Sequence, residues 1–297
     1  MKAWNSIESS WMNSLTRGEQ PSHANLREHL VMVHRDHAGF AENCALRCLD
    51  GSGRNSYQQL ASVVDPVKHS HLLDLACGSG VLLEICRQRC SDSAKITGVD
   101  MSKEELALAR QRNPDPAVKL HQGIAQNLSF IDDCEFDVVL CHWALTLMDQ
   151  VPLVLKEVKR LLRPKGIFAA IVDGDPATAP DYLDVHDLIY NFVRREHPKY
   201  GETDLGDPLV RDANTLKKLA IDSFQEASVT IEPLVFDLYM SPDVLAREAA
   251  GFFYASFVLS ASEHQQMLQE LEALFTRQGK GDESRFALPV NKLVIRQ

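Results

Sequence analysis

The sequence predicts an α/β protein whose doubly wound, mostly parallel seven-stranded sheet carries helices on both faces, with an N-terminal helical cap and inserted lid helices. Three observations predict it. Strand and helix patterns alternate from His71 to Val172, the first strand is a continuous apolar run, and that strand ends in a glycine turn that opens a helix. A continuous apolar run marks a strand buried on both faces, and regular alternation of the two periodicities marks a parallel sheet covered by helices.

Ser22 to about Val64 is helical in pattern, with Leu26, Leu30, Met32 and Val33, then Phe40, Ala41, Cys44 and Leu46, at spacings of three and four. Gly51-Ser-Gly53 interrupts it before a second short helix at Ser56–Val64. The first strand is His71-Leu-Leu-Asp-Leu-Ala76. Helix Gly80–Cys90, strand Lys95–Val99, helix Lys103–Arg112, strands Val118–His121 and Phe136–Cys141, helix Val151–Leu162 and strand Ile167–Val172 follow. Beyond Asp173 the alternation stops. Helices are expected at Asp181–His197 and Asn214–Phe224, a long strand at Ala227–Leu238, helices at Pro242–Leu259 and Ser262–Arg277, and a last strand at Leu288–Ile295. The expected organisation is a cap over 1–64 and a ligand-binding domain over 65–297 with lid insertions at about 174–212 and 241–280.

Composition narrows the function. With 297 residues, 45% apolar and 24% charged, the chain is an ordinary globular protein. Its formal charge of −10 opposes a polyanionic partner, so nucleic acid is disfavoured. No apolar run reaches the length of a membrane span, Met1 to Gln20 is polar, and seven cysteines in mostly apolar stretches fit reduced thiols. The expected location is cytoplasmic, with no membrane partner. His34, His37, Cys44 and Cys48, or Cys86 and Cys90, lack the paired-knuckle spacing of structural zinc, so no metal is expected.

The chemistry concentrates in Asp74-Leu-Ala-Cys-Gly78-Ser-Gly80. Glycines there let backbone approach a ligand, and the helix N-terminus offers unpaired N–H groups. Asp100 closes the second strand some twenty residues on, where a carboxylate accepts from ribose hydroxyls. A dinucleotide fingerprint requires a third small residue where Leu83 stands, which argues against a dinucleotide oxidoreductase.

On these residues the sequence resembles the class I S-adenosylmethionine-dependent methyltransferases, from Leu72 to about Val172 and more weakly in the last strands. The resemblance implies S-adenosylmethionine as cofactor and S-adenosylhomocysteine as product. It implies that Asp74, Ala76, Gly78 and Gly80 surround the methionine portion, with Cys77 and Cys141 also in the cofactor set. It further implies that Asp100 holds the ribose, Met101 packs on the adenine, and Ala125 and Gln126 lie beside the adenine edge. Leu161-Leu-Arg-Pro164-Lys-Gly166 matches the family's turn into its fifth strand, with Lys165 replacing the commoner second glycine.

His142 follows the fourth strand at the carboxyl edge of the sheet, as either a general base or a wall residue. His34, His37, Trp143, Tyr182, Tyr190 and Phe253 are candidates for the acceptor site. The expected activity is methyl transfer to a small-molecule or carrier-bound acceptor. A protein or nucleic-acid methyltransferase and an inactive cofactor-binding regulator are the alternatives. Acceptor identity and oligomeric state are not legible in the residues.

Overall fold

A computed structural model describes residues 4–225, 227–279 and 281–297; residues 1–3 of the expected cap and Lys280 of the second expected insertion lie outside them. The helices in chain order are α1 Ser10–Arg17, α2 His23–His37, α3 Glu42–Arg47, α4 Ser56–Ala61, α5 Val81–Arg89, α6 Lys103–Arg112, α7 Val151–Leu161, α8 Pro180–Glu196, α9 Ala213–Phe224, α10 Pro242–Phe252 and α11 Ala261–Gln278. The strands are β1 His71–Leu75, β2 Lys95–Asp100, β3 Val118–Gln122, β4 Phe136–His142, β5 Leu162–Asp173, β6 Ser228–Met240 and β7 Ser284–Arg296.

The strands form one seven-stranded sheet in the order β3-β2-β1-β4-β5-β7-β6. The first five pair in parallel, with Leu73 opposite Thr97 and Val139, and β7 runs antiparallel to β5, with Ile167 opposite Arg296. The order reverses between β1 and β4, and ligands of open α/β sheets bind at such a switch point, outside the carboxyl ends of the strands. The glycine turn after β1 stands at that place.

The chain divides into two compact units. One comprises Arg54–Asp175, Leu205–Leu234 and Val290–Gln297. Its core gathers Leu73, Leu75, Val139, Phe168 and Ala170 of the strands with Val151, Val154, Leu155, Val158 and Leu161 of α7. These α7 residues recur at spacings of three and four, so one face of the helix is apolar and packs onto the sheet. The other unit comprises the chain up to Gly53, Pro176–Asp204 and Val235–Pro289. It contains a cluster of Ile7, Val33 and Phe257 with Trp4, Phe40 and Tyr254 against it.

The expected cap boundary at residue 64 differs from the division found, because α4 groups with the sheet unit. Buried Leu60 and Ala61 turn α4 into a covering helix rather than a cap element. α1 is absent from the sequence reading; only eight residues long, it is held by Ser9, whose hydroxyl accepts from Met12 N–H, and by left-handed Gly18. The expected helix Pro242–Leu259 breaks at Phe253 into α10 and a 3-10 turn, Tyr254–Val258. There the Ser256 hydroxyl donates to the Ala250 and Phe253 carbonyls and ends the helix. Lys165 sits at φ +66, a conformation that glycine adopts more readily.

Candidate functional site

Asp74 is the fourth residue of β1, and β1 lies between β2 and β4. The backbone then turns sharply, with positive φ at Ala76, Gly78 and Gly80. A Cβ on Gly80 would stand 2.6 Å from Asn113 Nδ2 and 3.0 Å from Ala109 Cα of α6. Both the turn and the approach of α5 to α6 therefore require glycine. The N-cap of α5 is Gly80, which has no side chain to cap the helix, and a helix N-terminus suits an anion.

The turn is latched to β2. Cys77 N–H donates to the Val99 carbonyl at 3.0 Å, and Gly78 N–H donates to Asp100 Oδ2 at 2.9 Å. Asp100 Oδ1 accepts from Ser102 N–H at 2.8 Å, while the Ser102 hydroxyl caps α6 by accepting from Glu105 N–H. Asp100 thus orders the glycine turn from the end of β2.

Leu83 is fully buried where a dinucleotide site would have a small residue. The compensating space comes from the facing strand: a Cβ on Gly98 would meet Leu83 Cδ1 and Leu120 Cδ2 at 2.8 Å and Cys77 Sγ at 2.9 Å. Substituting Gly98 by Ala is expected to destabilise the protein by about 1–3 kcal/mol through overpacking. Urea denaturation checks this, and an unchanged midpoint would remove Gly98 from the account.

Asp74 is 3% exposed, and among the described residues neither carboxylate oxygen has a hydrogen-bond partner. Burial, with Asp100 adding to it, pushes its carboxyl well above the usual carboxylate range. A buried carboxyl in that state is protonated or awaits a cation. Cys77 and Cys141 are buried as well, and Cys141 belongs to the core cluster with no accessible surface, so its thiol faces packing rather than the turn. Burial, followed by Asp74, raises the Cys141 thiol to about 12.

Met101 is half-buried, and its carbonyl accepts from Gln122 Nε2 at 3.0 Å. Ala125 is buried in the core cluster. Gln126 Nε2 donates to the carbonyl and Oδ1 of Asp149 at 2.7 and 2.9 Å, which fixes the loop after β3 to the segment before α7.

At the carboxyl end of β4, His142 Nε2 is 2.9 Å from Ser56 Oγ. The Tyr57 ring stacks on the imidazole at 3.7 Å between centroids, and the Trp143 ring stands edge-on at 5.5 Å. Burial lowers the His142 pKa to about 3. Trp143, at φ +58, donates from its indole N–H to Asp173 Oδ1 at 2.9 Å. Asp173 Oδ2 accepts from Arg211 Nη1 at 3.3 Å.

The remaining candidates lie in the other unit. His34 Nε2 is 2.8 Å from the Tyr254 hydroxyl, and His37 Nε2 is 3.2 Å from the Asn5 carbonyl. Tyr182 packs against Phe253 at 5.3 Å, and Tyr190 stacks on His186 at 4.1 Å. Tyr182, Tyr190 and Phe253 therefore share one aromatic array, with His186 as a member that the sequence did not single out. Ser56, Tyr57, Asp149, Asp173 and Arg211 of the sheet unit were likewise missed. Their partners are distant in the chain, and none stands in a motif.

Residues 73–170 match a family model described as "Methyltransferase domain". The demethylmenaquinone methyltransferase of Symbiobacterium thermophilum is 34% identical over 110 residues, covering 36% of this chain and 43% of that protein. The chloroplastic 2-phytyl-1,4-beta-naphthoquinone methyltransferase of Arabidopsis thaliana is 35% identical over 112 residues, covering 36% and 42%. The chain thus spans under half the length of these curated relatives. Among solved structures, the YcgJ protein of Bacillus subtilis superposes with a TM-score of 0.53 at 17% identity, covering 82% of this chain and 97% of that one.

The fold is the α/β fold found in class I methyltransferases, and the similarity in sequence is confined to the matched segment. In particular, the segment similar to a methyltransferase domain, residues 73–170, bears the turn after β1, Asp100 and His142.

Proposed function

We propose that this chain transfers the methyl group of S-adenosylmethionine to a small-molecule acceptor. The observation that carries this reading is the pair of carboxyls at the glycine turn: Asp74 buried without a partner, and Asp100 latched to Gly78. They fit the two polar ends of that cofactor. Asp74 suits an ammonium, the uncapped N-terminus of α5 suits a carboxylate, and Asp100 suits ribose hydroxyls. When bound, the cofactor supplies a methyl group on a sulfonium centre, open to direct displacement.

The two quinone-named relatives make a flat ring acceptor the first class to test. A chain charge of −10 disfavours nucleic acid. No helix among the described residues is long and apolar enough to cross a membrane.

His142 then acts as a positioning residue. An imidazole that binds a proton only near pH 3 is a poor acceptor at neutral pH. The Ser56 hydroxyl at Nε2 and the stacked Tyr57 ring fix the imidazole in place. Alignment of nucleophile and methyl can carry a displacement without a base. The expected result for His142→Asn is turnover within about tenfold of the unmutated enzyme, whereas removing a general base costs roughly 10²–10⁴. Between pH 5.5 and 7.5 His142 stays neutral, so the rate should show no step from it. A loss beyond a hundredfold, or a step near the ordinary histidine pKa that vanishes in the variant, would restore the base.

The whole reading is tested by incubating the protein with methyl-labelled cofactor and a metabolite extract. Label in small organic products is expected. Label confined to protein or nucleic acid, or no binding of S-adenosylhomocysteine in calorimetry, would overturn it.

A further inference from the structure

Asp74 is a peculiar residue to leave in the middle of a sheet. It is 3% exposed, and among the described residues neither of its oxygens has a hydrogen-bond partner. Asp100 bears on it from β2 with the same charge sign. Cys77 in the turn and Cys86 on α5 lie near it, with thiols held neutral by burial, while Cys141 on β4 belongs to the core on the other face of the sheet. Glu105 on α6 is also buried beside the turn, with Oε2 3.8 Å from where a Gly78 Cβ would stand. Among the described residues, no lysine, arginine or histidine contributes to the electrostatics of Asp74. An ionised carboxylate in such a place would carry the full cost of desolvation and of its neighbour Asp100.

We propose that Asp74 holds a proton in the ligand-free protein and releases it to solvent when the ammonium of the cofactor's amino-acid end arrives, so that cofactor binding is a one-for-one exchange of a proton for an organic cation. The inference rests on the cofactor reading above. The O–H bond of the Asp74 carboxyl breaks, its proton passes to buffer, and the carboxylate pairs with the incoming ammonium; nothing is oxidised or reduced. The exchange makes Asp74 a specificity residue. Ligands carrying the ammonium draw out the proton, while adenosine derivatives without the amino-acid end leave it in place.

The sign follows from linkage. The ligand-free carboxyl sits above its ordinary value, and the ammonium returns it toward that value. Between the bound and free values the complex holds one proton fewer, so affinity rises with pH, by about tenfold per unit at the steepest. Above the ligand-free value affinity levels off, and below the bound value both states are protonated and it levels off again.

The test is calorimetry of S-adenosylhomocysteine binding near pH 7 in buffers of low and high ionisation enthalpy, phosphate and Tris, with 5′-methylthioadenosine as the comparison ligand. The expected outcome is net proton release for S-adenosylhomocysteine and none for methylthioadenosine. Carbon-13 NMR of the labelled aspartate carboxyls locates the proton: the Asp74 resonance should lie at the protonated position without ligand and shift to the ionised position in the complex. In Asp74→Asn the buffer dependence should vanish, and the NMR experiment needs no variant. Binding with no proton release, equal release for both ligands, or an Asp74 resonance already ionised without ligand overturns the exchange while leaving the cofactor reading intact. No binding heat in any buffer, with no ligand-induced shift of any resonance, overturns the cofactor reading itself.

Discussion

Replacing Asp100 by alanine is expected to weaken S-adenosylhomocysteine binding by roughly ten- to a hundredfold. A hydrogen bond to a charged acceptor is worth about 1.5–3 kcal/mol, which converts to that range. The alanine also strips the acceptor from Gly78 N–H and Ser102 N–H, so the turn loses its latch to β2. Asp100→Asn separates the two effects. The amide keeps one acceptor oxygen for the turn but no charge for the ribose, so its ligand-free melting temperature should stay nearer the unmutated value than that of the alanine variant. Calorimetry on both variants, with melting curves, reads the result. Unchanged affinity in Asp100→Ala would remove the ribose from this carboxylate.

Much of the sheet unit was legible because its signals are local. The run His71–Leu75, the glycines at 78 and 80, and Asp100 twenty residues later lie in short stretches whose backbone demands are set by their own residues. The apolar stripe of α7 is equally local, and its observed bounds differ from expectation by a single residue. The far end of the chain was legible in part. Two late strands separated by inserted helices point to an antiparallel edge, which the pairing of Ile167 with Arg296 bears out, but which strand β7 pairs with shows only in the structure.

The parts of the site that escaped notice are those made by distant chain segments. Ser56 and Tyr57 look in sequence like the start of a short helix, and Asn55 does cap it. Their service to His142 is made across 86 positions in the chain and leaves no spacing to detect. Leu83 shows the same limit in another form. In sequence it argues against a dinucleotide site, but not for what replaces the missing glycine. The structure supplies Gly98 on the neighbouring strand, so the close contact of helix and sheet survives with the small residue moved across the interface.

The loop from Leu205 to Arg211 supports Trp143 in the same long-range way, and Gly206→Ala should show it. Gly206 has φ +91, and a Cβ there would stand 2.1 Å from the Thr146 carbonyl oxygen and 2.8 Å from Leu147 C and Cα. All three atoms are backbone, so no rotamer change relieves the clash. Left-handed strain of about 1–3 kcal/mol adds to overpacking of similar size. A net loss of roughly 2–6 kcal/mol follows, or a fall in melting temperature of about 4–24 °C. The damage has a direction. Asp207 N–H donates to the Met148 carbonyl, and Arg211 bridges the Leu205 carbonyl to Asp173, which receives the Trp143 indole N–H. Pushing Gly206 off Thr146 pulls on Arg211 and frees the indole. Nitrogen-15 NMR of the tryptophan indoles reads this directly: the Trp143 signal should move and broaden, while Trp4 and Trp11, in the other unit, hold their positions. A variant that melts at the unmutated temperature with Trp143 undisturbed would show that the loop can relax away from Thr146 at no cost, and that Asp173 anchors the indole without help from Arg211.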